Sequence, residues 1–324
     1  MRLYALLFFS LLIAGALAIV VGSGDLADPE LRDTFLKLRG FRLTAAFLAG
    51  AALAVGGVVV QGLFRNPLAS PSVLGTTAGA SFGGQVALLL SGLTGVSSGL
   101  VSPEMLVPIG CFLGALGALA VLLLFLRITQ DLLALLLTGF VLSALFLSMS
   151  AFVTSVAQET WELGRAVVSF SLGSVSGTGP RQLAFAIPLV VTALTACWLW
   201  GRPLDLLLSG EEEAQSMGAN VTGVRWWSAI WVSVLVAGAV SIGGNVGFVG
   251  LVVPHMLRPF AGTQHQRLIP AAALGGGLFL VVCDVIARVI PARSEMPLGV
   301  VTGLIGAPLF LLLLVRLRRE RAYA

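Results

Sequence analysis

Ten apolar stretches follow one another along the chain, at 3–22, 42–63, 73–92, 104–126, 132–156, 183–200, 226–243, 246–260, 270–290 and 297–315. A helix that crosses a bilayer needs about 20 apolar residues, because the hydrocarbon core offers no water to satisfy stray backbone groups. The stretch at 246–260 is the shortest. Of the 324 residues, 57% are hydrophobic and only 10% charged, which leaves too little polar surface to clothe a soluble domain. The sequence therefore predicts an all-α, polytopic membrane protein with about ten transmembrane helices, forming a single domain over 1–324 with a long cytoplasmic loop at about 201–225.

Orientation follows from the basic residues of the short loops. With the N-terminus inside, eleven of them fall on the cytoplasmic side: Arg2, Arg65, Arg127, Arg202, Arg225, Arg258, Arg267, Arg316, Arg318, Arg319 and Arg321. Eight fall outside or at the outer interface, namely Arg32, Lys37, Arg39, Arg42, Arg165, Arg181, Arg288 and Arg293. The net charge of +4 fits membrane orientation, and the absence of a basic patch interleaved with aromatics argues against nucleic acid. Ala16-Leu17-Ala18 could pass as a signal-peptide cleavage site, but the apolar run continues through Ile19, Val20 and Val21, which suits a retained first helix better. Cys111, Cys197 and Cys283 each sit inside an apolar stretch and read as small buried hydrophobes.

Two pairs of segments repeat. Gly50–Gly57 resembles Gly238–Gly244, and Thr138-Gly139 with its downstream Ala144–Leu147 resembles Thr302-Gly303 with Pro308–Leu311. The first pair falls in spans two and seven, the second in spans five and ten. An offset of five spans makes the copies enter the membrane from opposite sides, so the pattern predicts an inverted repeat of spans 2–5 and 7–10.

Chemistry is conspicuous mostly by what is missing. With Lys37 the only lysine, no phosphate-binding G-x-x-x-x-G-K-[ST] loop exists. His255 and His265 have no cysteine or carboxylate at ligand spacing, and no nucleophile motif accompanies them. Asp284 and Arg288, four residues apart, share a helical face and can pair. The segment Gly243–Arg267 is apolar enough to lie in a bilayer yet crowded with Gly, Pro, His and Arg, which suits a moving or substrate-lining part. Outside, the amphipathic stretch 158–181 suggests a short interfacial helix. Inside, Ser209 is the expected N-cap of a short charged helix over Glu211–Met217, with Gly218 as its stop.

Together, Arg39-x-x-Arg42, the run GAALAVGGVVVQGLFRNPLASPSVLGTTAGA at 50–80, GNVGFVGLVVPHMLRP at 244–259, Asp284-x-x-Ala287-Arg288 and PLGVVTGLIGAPLFLLLL at 297–314 resemble the membrane subunits of ABC importers for vitamin B12, haem and iron–siderophores. The resemblance extends from about residue 39 to 315. It implies an inner-membrane permease of ten helices, paired with a second copy as a homodimer, with two ATP-binding subunits below and a periplasmic substrate-binding protein above. ATP and magnesium would be used by the partner ATPase, and no cofactor or metal would be bound by this chain.

Carried over position by position, the resemblance assigns binding-protein docking to Arg39, Arg42 and Arg288 and a cytoplasmic gate to Asn66 and Leu68 in the turn Arg65–Ala69. Coupling to the ATPase falls on Glu211, Ala214, Gln215, Met217 and Gly218, and the translocation path on Thr138, Gly139, Thr302 and Gly303. Two departures stand out. Gln264-His265-Gln266-Arg267 replaces the Asp-His-Arg-Arg of many relatives, and Asp131–Ala134 lacks the small polar residues of a second gate, which is therefore not carried over. A secondary transporter coupled to an ion gradient is the alternative, with Asp284 as its only candidate carboxylate near bilayer depth. An intramembrane enzyme finds no catalytic set.

Overall fold

The structure is a computed structural model that describes residues 2–22, 28–94, 103–128, 132–290 and 295–322. Arg293, Asp131 and most of the turn at 92–103 lie outside the described residues. The described chain is helical: α1 (Arg2–Val20), α2 (Pro29–Leu63), α3 (Thr76–Thr94), α4 (Pro103–Ile128), α5 (Leu132–Ala157), α6 (Trp161–Leu172), α7 (Pro180–Leu199), α8 (Gly201–Leu208), α9 (Glu211–Ser216), α10 (Val221–Gly243), α11 (Val249–Ala261), α12 (His265–Val289) and α13 (Leu298–Ala322), with a 3₁₀ turn at Pro71–Leu74.

The ten apolar stretches fall one for one on α1 to α5, α7 and α10 to α13. Seven of these helices are long and apolar enough to cross a membrane. The other three depart for separate reasons. α11 has only 13 residues, the described apolar part of α13 runs from Leu298 to Leu312, and α3 is diluted by Ser81, Gln85 and four glycines. The extra helices are α6, whose Gly164 and Val167 are buried while Trp161 is exposed, and the cytoplasmic pair α8 and α9.

α2, α10 and α12 form the interior. α2 packs against α12 as α10 packs against α4, and α2 touches α11 as α10 touches α3, with α2 and α10 meeting between them. Exchanging spans 2–5 for 7–10 leaves this pattern unchanged, which is the reciprocity an inverted repeat requires. The entries to α3 and α11 match as well: each is preceded by a left-handed residue, Gly75 (φ 77°) and Phe248 (φ 67°).

Small residues set how close the helices come. A Cβ at Gly50 would run into the Gly276 carbonyl, and one at Gly83 into the Gly110 carbonyl, so α2–α12 and α3–α4 approach backbone to backbone. Packing at that distance stands in for the hydrophobic effect, which cannot drive helices together in lipid.

The polar segment of the shortest span has a local explanation. Pro254 has no N–H, so the Gly250 carbonyl one turn earlier in α11 loses its helical donor. Gln61 of α2, 2% exposed, donates to that carbonyl at 3.2 Å, and its own oxygen accepts from Arg258 at 2.7 Å. One buried amide thus answers both the proline and the arginine. A broken helix in a membrane is tolerated where a neighbour re-satisfies its backbone, and here α2 does so.

Candidate functional site

At the outer end, the last carbonyls of α1 have no helical donors of their own. Arg39 reaches back from α2 and donates to the carbonyls of Ile19 (2.7 Å), Val20 (2.9 Å) and Gly22 (3.1 Å). Arg288 of α12 donates to those of Ala18 and Val21, both at 2.8 Å. Two cations at a helix C-terminus also complement its dipole. Asp284, 1% exposed, lies between Arg288, with which it pairs as its spacing predicts, and Arg42, whose Nε is 2.9 Å away. Arg42 continues to Glu295 at 2.8 Å. The three arginines assigned to docking are therefore brought together, but Arg39 and Arg288 are turned inward onto α1, and the Arg42 side chain, 14% exposed, is more open than that of Arg288 at 2%.

The cytoplasmic turn after α2 is built by local hydrogen bonding. Arg65 takes a left-handed conformation (φ 47°), Asn66 N–H bonds the Gln61 carbonyl at 3.1 Å, and the Asn66 side-chain oxygen accepts from Leu68 N–H at 2.9 Å. Asn66 and Leu68 both face outward, Leu68 with 42% of its surface exposed.

Beside this turn stands the α8–α9 hairpin. Gly210 (φ 128°), not Ser209, occupies the N-cap of α9, and Ser209 instead ends α8. The serine sits one residue too early to cap a helix that begins at Glu211, because α8 continues up to it. Gly218 (φ 86°) stops α9 as expected, allowing Ala219 N–H to bond the Ala214 carbonyl at 2.9 Å. Ala214 is fully buried, whereas Gln215, Met217 and Gly218 face outward. Glu211 pairs with Arg225 at the start of α10 and lies 4.0 Å from Arg65, so the hairpin touches the turn. A cavity of about 360 Å³ opens beneath it between Trp200, Pro203, Leu206, Met217, Asn220 and Trp227. Asp205 of α8 accepts from the backbone N–H of His265 at 2.9 Å and meets its Nδ1 at 2.6 Å, fixing α8 to the start of α12.

Of the residues assigned to the path, Thr138 donates to the Ala134 carbonyl at 2.8 Å and Gly139 lies against the backbone of the 3₁₀ turn at Val73. Thr302 is buried and donates to the Gly299 carbonyl at 3.1 Å, while Gly303 has open space around its Cα. None of the four lines a polar cavity on the neighbouring face. That cavity, about 350 Å³, lies between the 3₁₀ turn, α3, α5 and α6, and its walls carry Thr77, Ser81, Gln85, Ser143, Ser150 and Thr154. Sequence reading missed it, although a signal was present: Thr77, Ser81 and Gln85 are spaced by four residues along α3, and Ser150 and Thr154 likewise along α5, each marking one helical face.

Among the described residues no group of three or more His, Cys, Asp or Glu could hold a metal ion. The fold and its features fit a helical membrane transport subunit: a wall with a polar cavity, a tight cytoplasmic turn and an outward-facing hairpin.

Comparison with known proteins agrees. The FecCD transport family matches residues 3–316, and the chain belongs to it. It is 36% identical over 330 residues to the Fe(3+) dicitrate transport system permease protein FecD of Escherichia coli K12, covering 98% of this chain and 100% of FecD. It is also 36% identical to the hemin transport system permease protein HmuU of Yersinia pestis, covering 89% and 85% of the two chains. A solved structure of a metal-chelate type ABC transporter, in an inward-facing conformation, superposes with a TM-score of 0.85 at 31% identity over 97% of this chain and 98% of its own.

The protein is thus a multi-pass permease subunit of an ABC importer in the cytoplasmic membrane, working with ATPase and binding-protein partners. It is not an enzyme, and ATP is hydrolysed in a partner subunit. The ion-coupled alternative gains no support. Its one candidate carboxylate, Asp284, is held between two arginines.

Proposed function

We propose that two copies of this chain form a homodimeric permease that conducts an iron chelate, haem or vitamin B12 inward, driven by two copies of the ATPase. All of 1–324 acts as one domain in this reading, and ATP and magnesium are bound by the partner. The observation that carries it is the α8–α9 hairpin: Ala214 anchors it, Gln215, Met217 and Gly218 face outward for the ATPase, and Glu211 reaches Arg65 at the turn. Movement imposed on the hairpin is thereby passed to Asn66 and Leu68, the gate. Helices α5 and α13 line the path from opposite repeats, with Thr138-Gly139 toward the cytoplasmic end of α5 and Thr302-Gly303 toward the outer end of α13. The outer rim receives the binding protein. Arg42 and Glu295 supply charge there, and Arg39 and Arg288 serve by holding the rim's shape.

The test is co-expression with the ATPase and the binding protein, purification in detergent and assay of vanadate-sensitive hydrolysis. A stable complex whose hydrolysis rises with loaded binding protein, and whose Met217→Asp variant loses the ATPase, is the expected result. A chain that purifies alone and transports under an ion gradient would reverse it.

A further inference from the structure

The polar cavity has a composition that the fold does not require. In a lipid-embedded wall, hydrogen-bonding side chains are tolerated where they face a partner or a water-filled space. Nine of its twelve lining residues carry hydroxyl or amide groups: Ser72, Thr77, Ser81, Gln85, Ser143, Ser150, Thr154, Ser171 and Asn245. Among the described residues no Arg, Lys, Asp or Glu lines it. The face runs from the 3₁₀ turn near the cytoplasmic side, along α3 and α5, to α6 and Asn245 at the outer side.

How these groups use their hydrogen bonds decides what the face offers. Ser143, Thr154 and Ser171 donate their hydroxyl protons to the carbonyls of Gly139 (2.9 Å), Ser150 (2.9 Å) and Val167 (2.7 Å), four residues back in their own helices. Their oxygens keep acceptor capacity, and that of Ser171 already accepts from Gln85. Gln85, only 2% exposed, spends its N–H on Ser171 at 2.8 Å, while its amide oxygen has no protein partner, and neither has Thr77 Oγ1. A buried amide oxygen without a donor is costly, so a resident of this cavity that brings one is favoured.

We propose that this face is the surface the transported solute touches in passage, with Gln85 at its centre, and that it suits a bulky, nearly uncharged solute carrying amide and hydroxyl donors. A metal chelate whose ligands have cancelled the metal's charge, or an amide-rich corrinoid, fits that description. A carboxylate-rich anion meets acceptors and no cation, and a flat apolar macrocycle leaves the hydroxyls unanswered. The inference rests on the importer reading and narrows its substrate.

The test uses the full complex of permease, ATPase and binding protein in liposomes, with four probes: cyanocobalamin, a neutral ferric trihydroxamate, ferric citrate and haemin. ATP-driven uptake of one of the first two is expected. Gln85→Leu, close in volume but without hydrogen-bonding atoms, should cut that uptake at least tenfold while hydrolysis still responds to the loaded binding protein. Should Gln85→Leu not assemble, Ser81→Ala with Ser150→Ala should lower uptake several-fold in an intact complex. Uptake confined to ferric citrate or haemin overturns the solute class. Normal transport by the variants overturns the site while leaving the importer reading standing. No ATP-driven uptake of any probe by the unaltered complex overturns both.

Discussion

The two ends of the molecule handle charge in opposite ways. At the outer end, Arg39, Arg42, Asp284 and Arg288 are spent on one another and on the carbonyls of α1, with Asp284 only 1% exposed. At the cytoplasmic end, Glu211 lies in a half-exposed contact with Arg225 and Arg65, and Glu212, Glu213, Gln215 and Met217 face outward. Arginine on a membrane-protein rim is easily read as an invitation to a partner. Here geometry separates the two cases: the outer cations close a helix end, and the inner hairpin leaves its side chains available.

The largest effect is expected at Asp284. Replacing it with alanine leaves Arg42 and Arg288 buried without their shared carboxylate, a change that typically costs about 3–5 kcal/mol. It should appear as a sharp fall in the thermal midpoint of the detergent-solubilised protein, and an unchanged midpoint would contradict the buried network. Next comes Arg39→Met, which removes three charge-assisted bonds to carbonyls at and just beyond the end of α1, at a cost of about 2 kcal/mol. The effect should be local, read as faster thiol labelling of a cysteine placed at Val20 than in the parent. Reversing Arg39 and Arg42 to glutamate therefore disturbs packing before it can report on docking.

The hairpin should behave differently. Gln215→Ala is expected to leave permease stability within about 0.5 kcal/mol, as exposed substitutions generally do, while loosening the ATPase measurably in co-purification. Smallest of all is Glu211→Gln. Its pairs are one-third exposed or more on the glutamate side, so the loss should stay below about 1 kcal/mol and shrink further in high salt. If Glu211→Gln instead destabilised the protein as much as Asp284→Ala, the contrast between the ends would collapse.

Much of the fold was legible in the chain because bilayer physics permits few solutions. All ten apolar stretches became helices, and the short one at 246–260 became the shortest of them, α11. The repeat seen in Gly50–Gly57 and Gly238–Gly244 reappears as reciprocal packing of α2 and α10. Hydropathy could not say which spans are interior. α2 and α5 have mean hydropathies of 2.2 and 2.1 in their best windows, yet 83% of that window is buried in α2 and 22% in α5. A leucine facing lipid and a leucine facing protein look the same in sequence, since lipid is as apolar as a protein core.

Sites divide along the same line. The charged hairpin was readable from Glu211–Gly218, because capping glycine and acidic first turn are local signals, though the cap itself moved from Ser209 to Gly210. The polar face was not read, because Thr77, Ser81 and Gln85 on α3 acquire meaning only when α5 and α6 bring Ser150, Thr154 and Ser171 opposite them.

By itself, then, the sequence determined a helical membrane permease, its repeat and its cytoplasmic hairpin, through hydrophobic length, glycine and proline placement and local capping. Only the tertiary structure decided that Gln61 answers Pro254 and Arg258, that Arg39 and Arg288 close α1, and that a charge-free hydroxyl face crosses the wall. Each of those depends on groups brought together from distant parts of the chain, and hydrogen bonds over such separations are set by packing, which no local pattern encodes.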